Sequence, residues 1–173
     1  MSSAGEGGDA RVGVLFVCYA NVCRSPLAEG LFRHLAEQRG VLEALRIDSA
    51  GTAAMEGSPP HRLSREIADA HGFALTGHAR QLVRDDLSRF DHVVVMDRQN
   101  YATLERLAAP SAFGSLANYR ANIRLLRAIA EPRAKGRELD VPDPIGGGAE
   151  RYARVYELLE RGCAALLDEL KLA

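Results

Sequence analysis

The sequence predicts an α/β sandwich built around a parallel sheet, and three observations carry that reading. Apolar runs of strand length recur along the chain, near-continuous rather than alternating, as buried parallel strands are. Stretches with helical periodicity separate them. The C-terminal region carries the strongest helical stripe, closing the alternation of strands and helices that an α/β fold requires.

The first strand is expected over Arg11-Val-Gly-Val-Leu-Phe-Val17. Pro26 then opens a helix, because proline at a first helical position lacks only an N–H that would be unpaired there. Leu27, Leu31 and Leu35 fall on one face of that helix with Ala28 and Phe32 beside them, and Gly40 ends it. A second strand covers Ala44 to Asp48 and runs into Ser49-Ala-Gly-Thr52. After the turn Ser58-Pro-Pro60, a helix is expected near Arg62–His71, stopped by Gly72. His92-Val-Val-Val-Met96 reads as a third buried strand, Gln99–Ala108 as a helix ended by Pro110, and Ile123–Leu126 as a weak fourth strand. In the last helix Tyr152, Val155, Tyr156, Leu159, Cys163, Leu166, Leu167 and Leu170 form one apolar stripe.

Length and composition bound what such a fold does. The 173 residues suit a single domain, expected over 11–173 behind a flexible, polar, Gly-rich tail at 1–10. A net charge of −1 argues against a nucleic-acid partner, which calls for a basic excess. Lys135 and Lys171 are the only lysines among 22 basic residues, so 20 are arginines. No apolar run approaches the roughly 20 residues that span a bilayer, and the start lacks a signal-peptide pattern. A cytoplasmic protein without a membrane partner is therefore expected. Cys18, Cys23 and Cys163 are an odd number at spacings unlike a disulfide framework. Two of them share one short loop, which points to chemistry.

That loop, Cys18-Tyr-Ala-Asn-Val-Cys-Arg24-Ser25, joins the end of a strand to the start of a helix, where open α/β sheets place their ligands. Backbone N–H groups in such a loop form a concave nest for an anion, and the helix dipole adds positive potential. The same surroundings favour the thiolate form of a cysteine, which is the nucleophilic one. Arg24 can return across the loop and grip two phosphate oxygens with its planar fork, which a lysine cannot do. Ser25 offers a hydroxyl to the sulfur. The loop lacks the G-x-x-x-x-G-K-[ST] pattern and is not a nucleotide-binding loop. A cysteine six positions before an arginine also fits a small buried core residue; the placement between strand and helix favours the chemical reading.

With these residues in view, the chain resembles the low-molecular-weight protein tyrosine phosphatase family. The marks are Val17-Cys-Tyr-Ala-Asn-Val-Cys-Arg-Ser-Pro-Leu-Ala-Glu29, Asp48-Ser-Ala-Gly-Thr52, Ala79-Arg-Gln81, Phe90-Asp91 leading to Met96-Asp97, and Pro142-Asp143-Pro144. The resemblance implies a three-layer sandwich with a four-stranded parallel sheet and helices on both faces. It implies Cys18 as nucleophile, forming a cysteinyl phosphate, Arg24 as phosphate clamp and Asp143 as general acid. It also implies a network of Asn21, Ser25 and Ser49 that fixes the loop. Taken alone, Asp143 in Val-Pro-Asp-Pro-Ile-Gly-Gly-Gly reads equally as a turn residue. No metal or other cofactor is called for, and His34, His61, His71, His78 and His92 lack metal-ligand company. The expected partner is a phosphotyrosine-containing protein, met by a monomer or weak dimer.

The chain departs from the family pattern at several positions. Ala20 stands where glycine is usual, so the loop there must avoid positive φ or bear its strain. Gly77 stands where a histidine supports Asn21, with His78 out of register. Met55 and Ile145 replace aromatic residues of the substrate rim, and Tyr19 is a candidate replacement wall. Tyr19, Ala20, Asn21, Val22, Cys23, Ser25, Ser49, Met55 and Ile145 are thus the expected substrate-binding set. Three alternatives stand beside the main reading. A phosphoarginine phosphatase shares the scaffold, but there a threonine would be favoured where this chain has Val22. A thiol-linked arsenate reductase needs a cysteine relay, and no cysteine lies between Arg24 and Gly162. A non-catalytic phosphate-binding module would have little reason to keep Cys18, Arg24 and Asp143 together. Cys23 reads either as packing beneath the loop or as a thiol that protects an oxidised Cys18.

Overall fold

A computed structural model describes residues 10–109 and 116–173. Most of the expected N-terminal tail and the expected helix stop at Pro110 lie outside the described residues. Four parallel strands form one sheet in the order β2-β1-β3-β4, with β1 at Val12–Cys18, β2 at Leu45–Gly51, β3 at His92–Val95 and β4 at Asn122–Leu125. The central β1 is buried from Gly13 to Cys18, which is why its sequence shows no polar alternation. Its side chains nevertheless divide by the two-residue period of a strand. Val14, Phe16 and Cys18 face one layer, made by α1 (Arg24–Gln38), α2 (Arg62–Ala70), α5 (Leu126–Ala130) and α6 (Ala149–Leu170). Leu15 and Val17 face the other, made by α3 (Asp86–Arg89) and α4 (Arg98–Ala108). The expected three-layer α/β sandwich is the fold.

Several boundaries move for physical reasons. Helix α1 begins at Arg24, so Pro26 is its third residue, a position whose N–H would also lack an intrahelical partner. Strand β2 runs three residues past the expected end. Gly51 extends it by donating its N–H to Arg80 O and accepting from Leu82 N, which adds a one-residue bridge at Gln81. Leu126, expected to end the fourth strand, opens α5 instead. Helices α3 and α5, four and five residues long, were not expected, because so short a segment holds too little of a 3.6-residue period to be seen. Gly162 lets α5 reach α6: a Cβ there would lie 2.4 Å from Leu126 Cγ. No helix among the described residues is long and apolar enough to cross a membrane.

Candidate active site

The site forms where β1 ends and α1 begins. Cys18 is the last residue of β1 and Arg24 the first of α1, so one loop turn holds both. Neighbouring elements pull the loop's carbonyls outward. Thr52 N and Ala53 N donate to Cys18 O and Tyr19 O at 2.9 and 2.8 Å. His61 N donates to Val22 O at 2.7 Å and Ser64 Oγ to Cys23 O at 3.2 Å. In a trans peptide the carbonyl and the following N–H point opposite ways. The N–H groups of Tyr19, Ala20, Cys23 and Arg24 therefore turn toward the loop's inner side, as an anion nest requires. Gly51 makes the close approach possible, since a Cβ there would stand 2.7 Å from Tyr19 O. The turn's positive φ (56°) falls on Asn21, while Ala20 is not among the positive-φ residues. Of the two outcomes expected at Ala20, the loop takes the first and avoids positive φ.

Cys18 is 2% exposed, and two donors reach its sulfur: Ser25 Oγ at 3.0 Å and the Asn21 N–H at 3.3 Å. The direction of the hydroxyl bond follows from its neighbours. Asn21 Nδ2 donates to Ser25 Oγ at 2.8 Å and to Ser49 Oγ at 2.9 Å. Ser49 Oγ in turn donates to Glu29 Oε2 at 2.6 Å. Ser25 thus accepts from Asn21 and has its one proton free for the sulfur, the alternative acceptor, Ala50 O, being more distant at 3.4 Å. Asn21 Oδ1 accepts from Arg80 N at 2.9 Å, and the Arg80 side chain is held by Asp48 and Asp86. Asn21, Ser25 and Ser49 so lie beneath the loop as one network.

Arg24 is also 2% exposed. Its Nη1 donates to Asp97 Oδ2 at 2.7 Å and to Val141 O at 2.9 Å, and Nη2 lies 3.4 Å from Asp143 Oδ2. Asp97 is the N-cap of α4: its Oδ1 accepts from Asn100 N at 2.7 Å while its Oδ2 holds Arg24. Val141 N donates to Met96 O at 2.8 Å, which brings the segment carrying Asp143 to the end of β3. The Asp143 side chain is 41% exposed, and Oδ1 accepts from Ile145 N at 3.1 Å. A cavity of about 240 Å³ results, floored by Cys18, Arg24 and the loop residues Ala20, Val22 and Cys23, and bordered by Tyr19, Asp143 and Ile145. Met55 is 78% exposed and does not line it.

Such a pocket combines a sulfur that receives two hydrogen bonds, inward-turned N–H groups, a buried guanidinium and a partly exposed carboxylate. That set can hold a tetrahedral oxyanion against a nucleophile while a proton is exchanged on the open side. Cys163 is of another kind: wholly buried in α6 within the core, its thiol is pushed up by desolvation and donates to Ala28 O at 3.8 Å.

A family model described as low molecular weight phosphotyrosine protein phosphatase matches residues 13–173. The chain belongs to this family. A low-molecular-weight protein-tyrosine-phosphatase of Streptomyces coelicolor is 39% identical over 161 residues, covering 91% of this chain and 93% of that protein. Among solved structures, YfkJ from Bacillus subtilis is 34% identical with a TM-score of 0.78, covering 95% of this chain and 98% of that one. The Drosophila arginine phosphatase DARP is 27% identical with a TM-score of 0.79, covering 91% and 97%.

Within this phosphatase, the departures from the family pattern have local answers. Gly77 lines a small cavity of about 40 Å³ beside Asn21, Ser49 and Glu29, and a Cβ at Gly77 would meet nothing within 4 Å. Arg80 N and Glu29 complete the network from either side of that space. Sequence reasoning gave no role to Asp97, Glu29 or Arg80. Asp97 carried a readable signal: an Asp-x-x-Asn cap directly after a strand, at the carboxyl end of the sheet where ligands sit. Glu29 and Arg80 carried none beyond their place in the quoted motifs.

Proposed function

We propose that this phosphatase hydrolyses phosphotyrosine in proteins through a cysteinyl phosphate on Cys18. The observation that carries the reading is that Cys18 and Arg24, held by one loop, share one small pocket with Asp143, which is more than a hundred residues away in the chain. The Cys18 thiolate attacks phosphorus as the bond to the tyrosyl oxygen breaks, and Asp143 supplies the proton that this oxygen takes up. Loop N–H groups and Arg24 hold the equatorial oxygens. Asp143, now a carboxylate, takes a proton from the water that attacks phosphorus and releases Cys18, whose returning charge is met by Ser25 Oγ–H. The network beneath the loop supports this by fixing the direction of that hydroxyl. The steps need no metal or other cofactor. The same proposal places a monomer or weak dimer in the cytoplasm, with one phosphatase domain over 11–173.

Tyr19 and Ile145 are 58% and 53% exposed at the pocket mouth, so one aromatic and one aliphatic face stand ready to flank a phenyl ring. Val22 lines the floor and has no hydroxyl to offer a guanidino group. A phosphotyrosine peptide should therefore be turned over with at least about tenfold higher kcat/KM than its phosphoarginine counterpart. The reverse order would move the protein to the arginine side of the family.

Redox sensitivity belongs to the same proposal. Cys23 lines the pocket with Cys18, is 4% exposed, and its sulfur lies 3.3 Å from Tyr152 Oη. Burial pushes its thiol up, partly offset by that hydrogen bond, so it stays protonated at rest. If Cys18 is oxidised by peroxide to a sulfenic acid, attack by Cys23 forms a disulfide and releases water. Peroxide-treated wild type should then recover nearly fully with dithiothreitol, and Cys23→Ser only in part. Equal recovery, with no Cys18–Cys23 disulfide by mass spectrometry, would leave Cys23 as packing.

A further inference from the structure

Asp143 also borders a second depression, which Cys18 does not line. It is larger than the catalytic pocket, about 1050 Å³, and open to solvent, with Val141 and Leu158 among its apolar contacts. Five arginines line it: Arg98 at the start of α4, Arg127 in α5, Arg137 in the turn of 3₁₀-helix at Gly136–Leu139, and Arg154 and Arg161 on α6. Arg154, Leu158 and Arg161 follow one another at the four- and three-residue spacing of one helix face.

The ion pairs do not balance this charge. Asp140 is taken by Arg98 at 2.8 Å, and Asp97 by the buried Arg24. Glu131 beside the groove serves Arg127 at 2.9 Å and is 3.9 Å from Arg161. Arg137 and Arg154, both exposed, have no carboxylate partner among the described residues. A chain of net charge −1 thus concentrates unpaired guanidinium groups beside its catalytic pocket.

We propose that this groove binds acidic residues flanking the phosphotyrosine of the protein substrate. The inference rests on the phosphatase reading and adds a sequence preference to it. An extended chain advances about 3.3–3.6 Å per residue. Because Asp143 borders both depressions, a chain leaving the pocket enters the groove within a few residues. Planar guanidinium groups accept carboxylates in paired hydrogen bonds. Their exposure makes the effect one of association, weakened by salt. Glutamates placed two to five residues from the phosphotyrosine are the matching ligands.

The test compares two phosphotyrosine peptides, one with glutamates at those positions and one with glutamines, together with p-nitrophenyl phosphate, which fills only the pocket. Wild type at low salt should show about tenfold higher kcat/KM for the acidic peptide. The preference should fall toward unity near 1 M salt, where the Debye length is about 3 Å. R137A/R154A should lose most of the preference at low salt, through KM rather than kcat. Turnover of p-nitrophenyl phosphate with no peptide preference overturns the groove and leaves the phosphatase reading intact. A preference that R137A/R154A retains in full overturns it as well, as does capture of an RNA oligomer or anionic vesicles without peptide discrimination. Failure of the wild type to hydrolyse p-nitrophenyl phosphate overturns both readings.

Discussion

Cys18→Ser is expected to abolish turnover, a loss on the order of 10⁶-fold, while fold and phosphate binding persist. The argument is chemical rather than steric. Serine is nearly isosteric with cysteine in a site that is 2% exposed, and the loop's donors and Arg24 remain in place. What disappears is a sulfur that receives two hydrogen bonds and whose thiolate form is the nucleophile. A hydroxyl needs a general base to attack phosphorus. None stands beside residue 18: Ser25 Oγ already accepts from Asn21, and Asp143 faces Arg24. Acid-quenched wild type incubated with ³²P-labelled substrate should retain label on Cys18, and the variant should retain none. Label on a histidine would refute the assignment.

Asp143→Asn is expected to lower kcat by roughly 10²–10⁴-fold on aryl phosphates with poor leaving groups. The amide keeps the shape of the carboxylate and its acceptor for the Ile145 N–H, so the loop should hold its conformation. It cannot hand a proton to a departing phenolate or take one from water. The deficit should shrink as the leaving phenol becomes more acidic, since a stable phenolate departs without protonation. A series of substituted phenyl phosphates reads this directly: the variant should depend on leaving-group acidity much more steeply than the wild type. Equal losses across the series would show that Asp143 is not the acid.

Removing one contact partner of Asp143 would not mimic this. Its carboxylate is held by a backbone N–H and faces Arg24, which is itself fixed by Asp97 and Val141 O. Arg24 and Asp143 are thus supported by the ends of different strands, β1 and β3, and their relative position is a property of the sheet.

That division explains what could be read early. The anion loop was legible because everything it needs is local: a buried strand ending at Cys18, a helix beginning at Arg24, and between them an asparagine able to adopt positive φ. β1 and β3 were legible for the same reason, as runs of apolar residues whose burial on both faces removes any alternation, whereas β2 and β4 carry polar residues at alternate positions. Short helices such as Asp86–Arg89 and Leu126–Ala130 were not, because a single turn has no period. Asp143 was a turn residue to local reasoning, and only the family resemblance gave it a role. What the sequence determined by itself was therefore the sheet, the loop and its sulfur. The tertiary structure alone decided which residues meet them. Asp97 reaches Arg24, Glu29 accepts the hydrogen bond of Ser49, and arginines from four separate segments gather beside Asp143. These partners are far apart in the chain, and only the order β2-β1-β3-β4 and the layer of α6 bring them within hydrogen-bond or groove distance.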